Sequence, residues 1–387
     1  MEILSELGQQ AIEMASREAD PASLAAAERL RRTFPAELAA QALTQVSLRR
    51  RAKEKFPHAD QMFLTPDGVE QATRGEVARW RAKEYARAGV QEAWDLGCGL
   101  GVDAMAFQAE GISVQGVEAD AATAAFATAN LALVGGKPVL QVRAEDAEVP
   151  EDAAVFLDPA RRTARGRSWN VADLSPSWEV VSSYLAGERF CCVKLGPGFP
   201  KRLIPDHVGA TWVSVGGDVV EVSLWNRVEP GYSAAVFPRG EVTPAVLRQP
   251  SEPRELLVKE VGAYVLEPDN AVIRAGLVRE IAPELEMWLL SEHIAYLSCD
   301  DVPPDTPFAE RFKVLEVFPF DIPTIRRYVK QQRLGTLEIK CRGIDIDPAQ
   351  FRRKLHPKGS GSATIILSRG KETSVAIVAD RTAGLSE

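Results

Sequence analysis

The stretch WDLGCGLGVDA, residues 94–104, constrains the fold of this 387-residue chain more than any other feature. A short apolar run ends at Gly97, Gly99 and Gly101, and a helical pattern begins directly after the glycines. Glycine lets the backbone turn tightly and approach a ligand closely, and the first N–H groups of the following helix point to the same place. The stretch therefore predicts a strand–loop–helix unit with a ligand beyond the carboxyl end of the strand.

The pattern around this unit predicts a doubly wound parallel sheet, because runs typical of strands alternate with runs typical of helices. We expect strands at EAWDLG, SVQGVEA, VLQVRA, AAVFLD, RFCCVKLG, TWVSVG and VVEVSLWN. The last two flank Gly216 and Gly217, which indicates an antiparallel pair. The fold class is therefore α/β and Rossmann-like.

The rest of the chain suggests further regions, since 387 residues are too many for one ordinary core. Residues 1–68 have helical periodicity. Residues 69–230 contain the α/β pattern. Residues 231–307 include a Pro- and Gly-rich stretch that is typical of a connecting segment. Residues 308–384 show a second α/β pattern.

The spacing of the glycines narrows the choice of ligand. The spacing is G-x-G-x-G, whereas a dinucleotide loop, G-x-G-x-x-G, has its third glycine one position later. The loop is also not a phosphate-binding P-loop, because no Lys-Ser/Thr pair follows it. Asp95 lies two residues before Gly97, where a carboxylate would repel a pyrophosphate and attract an ammonium group. S-adenosylmethionine has a cationic amino-acid end and no phosphate, so we expect it as the cofactor.

Two acids after the next strands fit the same cofactor. Glu118 ends the second expected strand and can accept hydrogen bonds from two ribose hydroxyls. Asp146 follows the third expected strand and can bind the adenine amino group. The alternative is a generic Rossmann-like fold that binds another nucleotide. With the glycine loop, these acids resemble the class I S-adenosylmethionine-dependent methyltransferases over roughly residues 70–230, which implies a seven-stranded sheet and these cofactor contacts.

The fourth expected strand ends in VFLDPARR, with Asp158 and Pro159 at its end. In methyltransferases that modify base amines, this position has the pattern D/N/S-P-P-Y/F/W. A carboxylate and a backbone carbonyl there accept N–H bonds and orient the nitrogen lone pair toward the methyl group. Here Ala160 and Arg161 replace the rest of the pattern, so Arg161 can stack on a base or pair with a phosphate.

The arginines that follow Asp158 leave two interpretations open. Arg162 and its neighbours either bind substrate or form a solvated loop. Lys194, near the end of the fifth expected strand, is a further candidate for the same cleft. We therefore predict Asp158, Pro159 and Arg161 as catalytic residues, and Arg162 and Lys194 as substrate-binding residues.

Several motifs together resemble a narrower group. EQATRGEVARWRA, DLGCGLGVDA, FLDPARR, VKLGPG and IKCRGIDIDPAQFRRKL are similar to bacterial methyltransferases that end in a THUMP-like domain. The methyltransferase part is also similar to trimethylguanosine synthases. This resemblance implies that the C-terminal region delivers RNA to the enzyme.

Charge is distributed unevenly along the chain. The net charge is −8, yet residues 311–371 carry fourteen Lys and Arg against five acids. An anionic partner or a solvated basic face explains such a region equally well on charge alone. If the cations converge, they form a phosphate-binding surface. The candidates are Lys340, Arg342, Arg352, Arg353 and Lys354.

The remaining features predict a cytoplasmic protein without a metal. The N-terminus lacks a secretion leader, no apolar run is long enough for a membrane span, and the five cysteines show no metal-ligand spacing. We expect a methyltransferase that acts on a base nitrogen in RNA. The alternatives are a small-molecule or protein acceptor, and a non-catalytic RNA-binding protein with a relict cofactor fold. The sequence makes no prediction of oligomeric state.

Overall fold

The computed structural model describes residues 1–161 and 171–381, and the chain divides into two compact units. The first unit consists of Met1–Gly209 with Val222–Pro230. The second consists of Ala210–Glu221 with Gly231–Glu387.

The first unit begins with five helices, and the first three lie within residues 1–68, where the periodicity predicts helices. They are α1 (Glu6–Ser16), α2 (Leu24–Arg31), α3 (Ala36–Ala52), α4 (Pro66–Gln71) and α5 (Gly75–Arg87). Ser5, Ser23 and Thr65 cap α1, α2 and α4, because each side chain accepts a backbone N–H from the first turn of its helix.

A parallel sheet follows the helices. In chain order, its strands and the elements between them are β1 (Glu92–Leu96), α6 (Val102–Ala109), β2 (Ser113–Val117), α7 (Ala121–Ala132), β3 (Ala154–Leu157), β4 (Ala160–Arg161), β5 (Leu174–Ser175), α8 (Trp178–Ala186), β6 (Cys191–Leu195), β7 (Gly209–Val215) and β8 (Asp218–Trp225). Strands β4 and β5 form a separate two-stranded sheet. The order in the first unit is β8-β6-β3-β1-β2, with β8 antiparallel to β6 and the other pairs parallel. The carboxyl ends of β1, β2, β3 and β6 therefore lie at one edge.

The third strand expected from VLQVRA is wrong. Only Leu140 forms a bridge, to Val117, and no strand is present there. Leu140 and Val142 are both exposed, because these alternating apolar residues have no core to face. The period-two pattern was present without the burial that normally accompanies it.

The second unit is richer in strands than the sequence indicates. It contains β9 (Gly231–Phe237), β10 (Ala245–Arg248), β11 (Tyr264–Pro268), α9 (Asn270–Ala275), β12 (Trp288–Ser291), β13 (Ile294–Cys299), β14 (Ala309–Pro319), α10 (Ile322–Gln331), β15 (Leu334–Arg342), α11 (Pro348–Leu355), β16 (Gly361–Arg369) and β17 (Ser374–Arg381). Five of these strands, β9 to β13, lie in residues 231–307, where a connecting segment was expected. With β9 and β10 the first sheet has eight strands, where the resemblance implies seven.

The C-terminal sheet has seven strands in the order β12-β13-β11-β14-β17-β16-β15. Helices α10 and α11 cover part of it. Ile325 and Val329 from α10 and Phe351 and Leu355 from α11 belong to one buried cluster with the strand residues around Ile365. Helix α11 begins at Pro348 with Asp347 as its cap, which are residue types typical of a helix start.

Tyr85 of α5 connects the helices to the central strands. Its buried hydroxyl donates to the Val155 backbone oxygen at 2.6 Å and accepts the Cys192 N–H at 3.0 Å. One side chain thus binds β3 and β6, the two strands whose carboxyl ends bear Asp158 and Lys194.

Candidate active site

The glycine loop between β1 and α6 has the open backbone that its sequence predicts. Gly97, Gly99 and Gly101 all have positive φ, at 89°, 53° and 81°. A Cβ atom added at Gly99 would meet no atom within 4 Å. The loop therefore leaves space beside Gly99 that a ligand can occupy.

Glu118 shapes this loop from the end of β2. Its Oε2 accepts the Gly99 N–H at 3.1 Å, and its Oε1 accepts the Asp120 N–H at 2.9 Å. A carboxylate oxygen can accept more than one hydrogen bond, so both oxygens can still accept hydroxyl groups.

Asp95, at the end of β1, is a buried carboxylate without a hydrogen bond. Its side chain is 1% exposed, and among the described residues neither oxygen has a partner. Burial raises the pKa of Asp95 well above its usual value, and Asp103 and Asp158 raise it further. Such a carboxylate favours a cationic ligand or a bound proton.

Arg81 and Asp103 form a buried ion pair that the sequence analysis missed. The Arg81 guanidinium contacts the Asp103 carboxylate, and the Thr73 hydroxyl donates to Asp103 Oδ2 at 2.6 Å. Arg81 is fully buried and lies over the Phe156 ring, 4.5 Å from its centroid. A sequence signal existed, because Arg81 follows Val77 at the four-residue spacing of the buried face of α5.

Asp158 pairs with Lys194 across β3 and β6. Lys194 Nζ lies 2.6 Å from Asp158 Oδ2. The Asp158 backbone oxygen would lie 3.7 Å from a Cβ placed on Gly97, so the turn after β3 lies against the glycine loop. Two of the predicted site residues are thus brought together at the sheet edge that bears the loop.

The remaining predicted site residues have fewer described contacts. Pro159 is buried, and the backbone of Arg161 pairs with Leu174 in the two-stranded sheet of β4 and β5. Arg162 lies outside the described residues. Asp146 is exposed on a single 3-10 turn, Ala144–Asp146, beyond the bridge at Leu140.

Two amide side chains connect the segment after α3 to α3 itself and to the glycine loop. Asn130 of α7 accepts the Phe63 N–H at 2.7 Å and donates to the backbone oxygens of Phe63 and Leu100. Gln45 of α3 exchanges two hydrogen bonds with the backbone of Leu64, at 2.8 and 2.9 Å. The Phe63–Leu64 segment is therefore fixed between α3 and the loop residue Leu100.

The basic residues of the C-terminal region fall into two groups. Lys340 contacts the carboxylates of Glu267 and Glu310, and Arg342 lies 3.3 Å from Glu267. These strand-end cations are neutralised within the protein. The second group lies exposed on α11, and in the described part of the chain it has no carboxylate within ion-pair distance. It consists of Arg352, Arg353 and Lys354.

Residues 1–161 and 171–381 contain neither a candidate metal site nor a candidate membrane-spanning helix. No group of three or more His, Cys, Asp or Glu side chains is arranged to hold a metal ion. None of the helices there combines the length and the hydropathy that a membrane span requires.

Comparison with known proteins identifies the family. The chain is 32% identical over 337 residues to uncharacterised S-adenosylmethionine-dependent methyltransferases from two Mycobacterium tuberculosis strains, CDC 1551 and H37Rv. The match covers 83% of this chain and 90% of each relative. This chain belongs to the S-adenosylmethionine-dependent methyltransferases. It is an enzyme, and S-adenosylmethionine is its cofactor.

Two family descriptions match parts of this methyltransferase. A THUMP domain-like family matches residues 309–381, and a domain of unknown function matches residues 1–52. A solved protein from Porphyromonas gingivalis W83, proposed by its name to be a methyltransferase, is 19% identical with a TM-score of 0.78. That likeness covers 97% of this chain and 99% of the solved one, and it shows the fold alone. The predicted α/β class and the C-terminal THUMP-like domain are confirmed.

The charge around the glycine loop fits this cofactor. The carboxylates that act on one another here are those of Asp95, Asp103 and Asp158, and the cations that oppose them are Arg81 and Lys194. S-adenosylmethionine carries a net positive charge through its sulfonium and ammonium groups, so its binding would relieve the repulsion that helps to raise the pKa of Asp95. The unbonded Asp95 carboxylate and the space beside Gly99 both suit a cationic nucleoside.

We expect Asp103→Asn and Asp95→Asn to change the free energy of unfolding in opposite directions. Asp103→Asn leaves the buried Arg81 guanidinium without its charge partner, which typically costs about 3–5 kcal/mol. Asp95→Asn removes a buried carboxylate that accepts no hydrogen bond, so the free energy of unfolding at pH 8 rises. Urea titration of both variants measures the two effects.

The pH dependence of the free energy of unfolding tests the same interpretation of Asp95. Because folding raises the pKa of Asp95, the folded protein retains a proton that the unfolded chain has released, from above about pH 4. Wild-type stability therefore falls as pH rises through this range, and Asp95→Asn removes that contribution. A loss of stability in both variants at pH 8 would contradict the assignment of Asp95 as an uncompensated charge.

Proposed function

We propose that this enzyme transfers a methyl group to a nitrogen of an RNA base. The observation that carries the proposal is the position of Asp158, whose carboxylate pairs with Lys194 and whose backbone oxygen lies against the glycine loop of a methyltransferase. The THUMP domain-like match at residues 309–381 supports RNA as the substrate class.

The cofactor site of the proposal uses the predicted loop residues. Gly97, Gly99 and Gly101 form the floor, and the Asp95 carboxylate attracts the positive charge of the cofactor. Glu118 accepts the ribose hydroxyls with the lone pairs that its two backbone contacts leave. Asp146, which is exposed, remains the candidate for the adenine amino group.

The acceptor site centres on Asp158. S-adenosylmethionine supplies an electrophilic methyl carbon. The Asp158 carboxylate and backbone oxygen would accept N–H bonds from the base, which directs the nitrogen lone pair to that carbon and offsets the positive charge that develops on nitrogen. As the N–C bond forms, the methyl–sulfur bond would break, S-adenosylhomocysteine would leave, and the proton that nitrogen loses would pass to water. The Lys194 ammonium, 2.6 Å from Asp158 Oδ2, holds the carboxylate in place by a charged hydrogen bond. Pro159 and Arg161 complete the turn.

Gly99→Arg should abolish cofactor binding without unfolding the protein, because its side chain would fill the space beside the loop. Gly111→Arg is a matched control: Gly111 also has positive φ and also has no neighbour within 4 Å of an added Cβ. Calorimetry with S-adenosylmethionine should show no binding to the first variant and wild-type binding to the second. Tight binding of S-adenosylmethionine by Gly99→Arg would contradict the placement of the cofactor at this loop.

Asp158→Ala should retain cofactor affinity and lose turnover by about 10²–10³-fold, as expected for a group that stabilises charge in the transition state. The assay is transfer of a labelled methyl group to total RNA from cells that lack the gene, followed by mass spectrometry of the nucleosides. Asp152→Ala, at an exposed acid just before β3, is the control. Absence of any new methylated nucleoside with the wild-type enzyme would overturn RNA as the substrate.

The exposed cations of α11 are the proposed RNA contacts of the C-terminal region. Arg352→Glu with Arg353→Glu should weaken RNA binding at low salt and make its salt dependence shallower, by about 0.7 in the log–log slope per lost phosphate contact. Arg31→Glu with Arg32→Glu is the control, since both arginines are exposed at the end of α2. Equal RNA affinity of the two double variants, measured by fluorescence anisotropy, would exclude α11 as the docking surface.

A further inference from the structure

Two ammonium groups lie at the C-terminal end of α4. Lys55 Nζ donates to the backbone oxygens of Val69 at 2.6 Å and Glu70 at 3.0 Å. Lys194 Nζ, besides its contact with Asp158, donates to the Gln71 oxygen at 3.4 Å. Three consecutive carbonyl groups, which a helix end leaves without intrahelical partners, therefore hold two lysines close together.

Arg74 adds a third cation. It directly precedes α5, and the N–H of the next residue, Gly75, donates to the Lys55 backbone oxygen at 2.9 Å. The Arg74 side chain is partly buried, and within the described residues its guanidinium has no hydrogen-bond or ion-pair partner.

At the C-terminal end of α4, the positive charges outnumber the negative ones. Burial, together with the charges of Lys194 and Arg74, lowers the pKa of Lys55 to about 8, against a weaker opposite effect of Glu70. Glu70 is exposed and lies 3.7 Å from Arg51. The second carboxylate nearby, Asp158, is paired with Lys194. An added anion would relieve the repulsion among the cations.

We propose that Lys55, Arg74 and Lys194 form an anion subsite that binds a phosphate group of the RNA substrate beside the Asp158 carboxylate. This inference rests on the proposed function. The carbonyl groups of α4 hold both lysines in position before substrate binds, so little side-chain entropy is lost on binding. A phosphate contact fixes position without reading sequence, so the subsite places a nucleotide with its base toward Asp158.

The test compares two double variants that each lose two positive charges. Lys55→Gln with Arg74→Gln alters the subsite, whereas Lys53→Gln with Lys83→Gln alters exposed lysines of the same helical region. Binding of a 12-nucleotide single-stranded RNA to the full chain is measured by fluorescence anisotropy at several NaCl concentrations. The subsite variant should bind about tenfold more weakly, as expected when charged hydrogen bonds are lost. Equal affinity of the two double variants would overturn the subsite.

Three single variants, Arg74→Gln, Lys55→Arg and Lys55→Gln, separate binding from folding. Arg74→Gln alone should still weaken RNA binding, and it breaks no described hydrogen bond. Lys55→Arg keeps the charge and should retain most of the affinity. Loss of affinity in Lys55→Arg equal to that in Lys55→Gln, with Arg74→Gln unchanged, would assign Lys55 a structural role and overturn the subsite.

Inorganic pyrophosphate distinguishes this inference from the proposed function. It should raise the melting temperature of the wild type and of the Lys53/Lys83 control more than that of the Lys55/Arg74 variant. If that difference appears while no RNA is bound or methylated, the anion subsite is retained and the RNA proposal fails. If RNA is methylated and both double variants respond equally to pyrophosphate and RNA, the subsite fails and the RNA proposal is retained.

Discussion

The buried contact between Arg81 and Asp103 is the constraint on which the catalytic half of the protein depends. A guanidinium that is fully shielded from water loses roughly several kcal/mol of hydration free energy. A carboxylate partner offsets a loss of about this size. Asp103 lies in the first turn of α6, directly after the glycine loop, and Arg81 lies on α5. The pair therefore fixes the start of α6 against the N-terminal helices. It also places a positive charge near Asp95, where with Lys194 it opposes the effect of Asp103 and Asp158.

Local features of this protein could be predicted from sequence, and contacts between distant residues could not. The positive φ values of Gly97 and Gly101 follow from residue type and spacing, and the cap of α11 at Asp347 follows from a short local pattern. The Asp158–Lys194 pair joins residues of different strands, so only the parallel register of β3 and β6 brings them together. Arg81 was missed because a mid-helix arginine normally faces solvent.

Two failures have a common physical cause. The alternating pattern at Leu140 and Val142 predicted a strand, but an exposed segment gains little from pairing. Residues 231–307 were expected as a connection because Pro and Gly are frequent there, yet β11 pairs with β14 over Tyr264–Pro268. In both cases the deciding factor was the presence or absence of a partner strand, which the composition of a short segment does not reveal. The count of charges over residues 311–371 has the same weakness, because Glu267, which pairs with Lys340, lies outside that range.

The pairing of β11 with β14 limits how the C-terminal region can be transferred to another enzyme. A chimera joined at residue 308 would leave β14 without the partner that it has over Ala309–Lys313. That bare edge would invite self-association of the transplanted piece. It would also remove Glu267, the counter-charge of Lys340 and Arg342, and so create basic character that the native protein does not display. A graft beginning before Tyr264 avoids both artefacts.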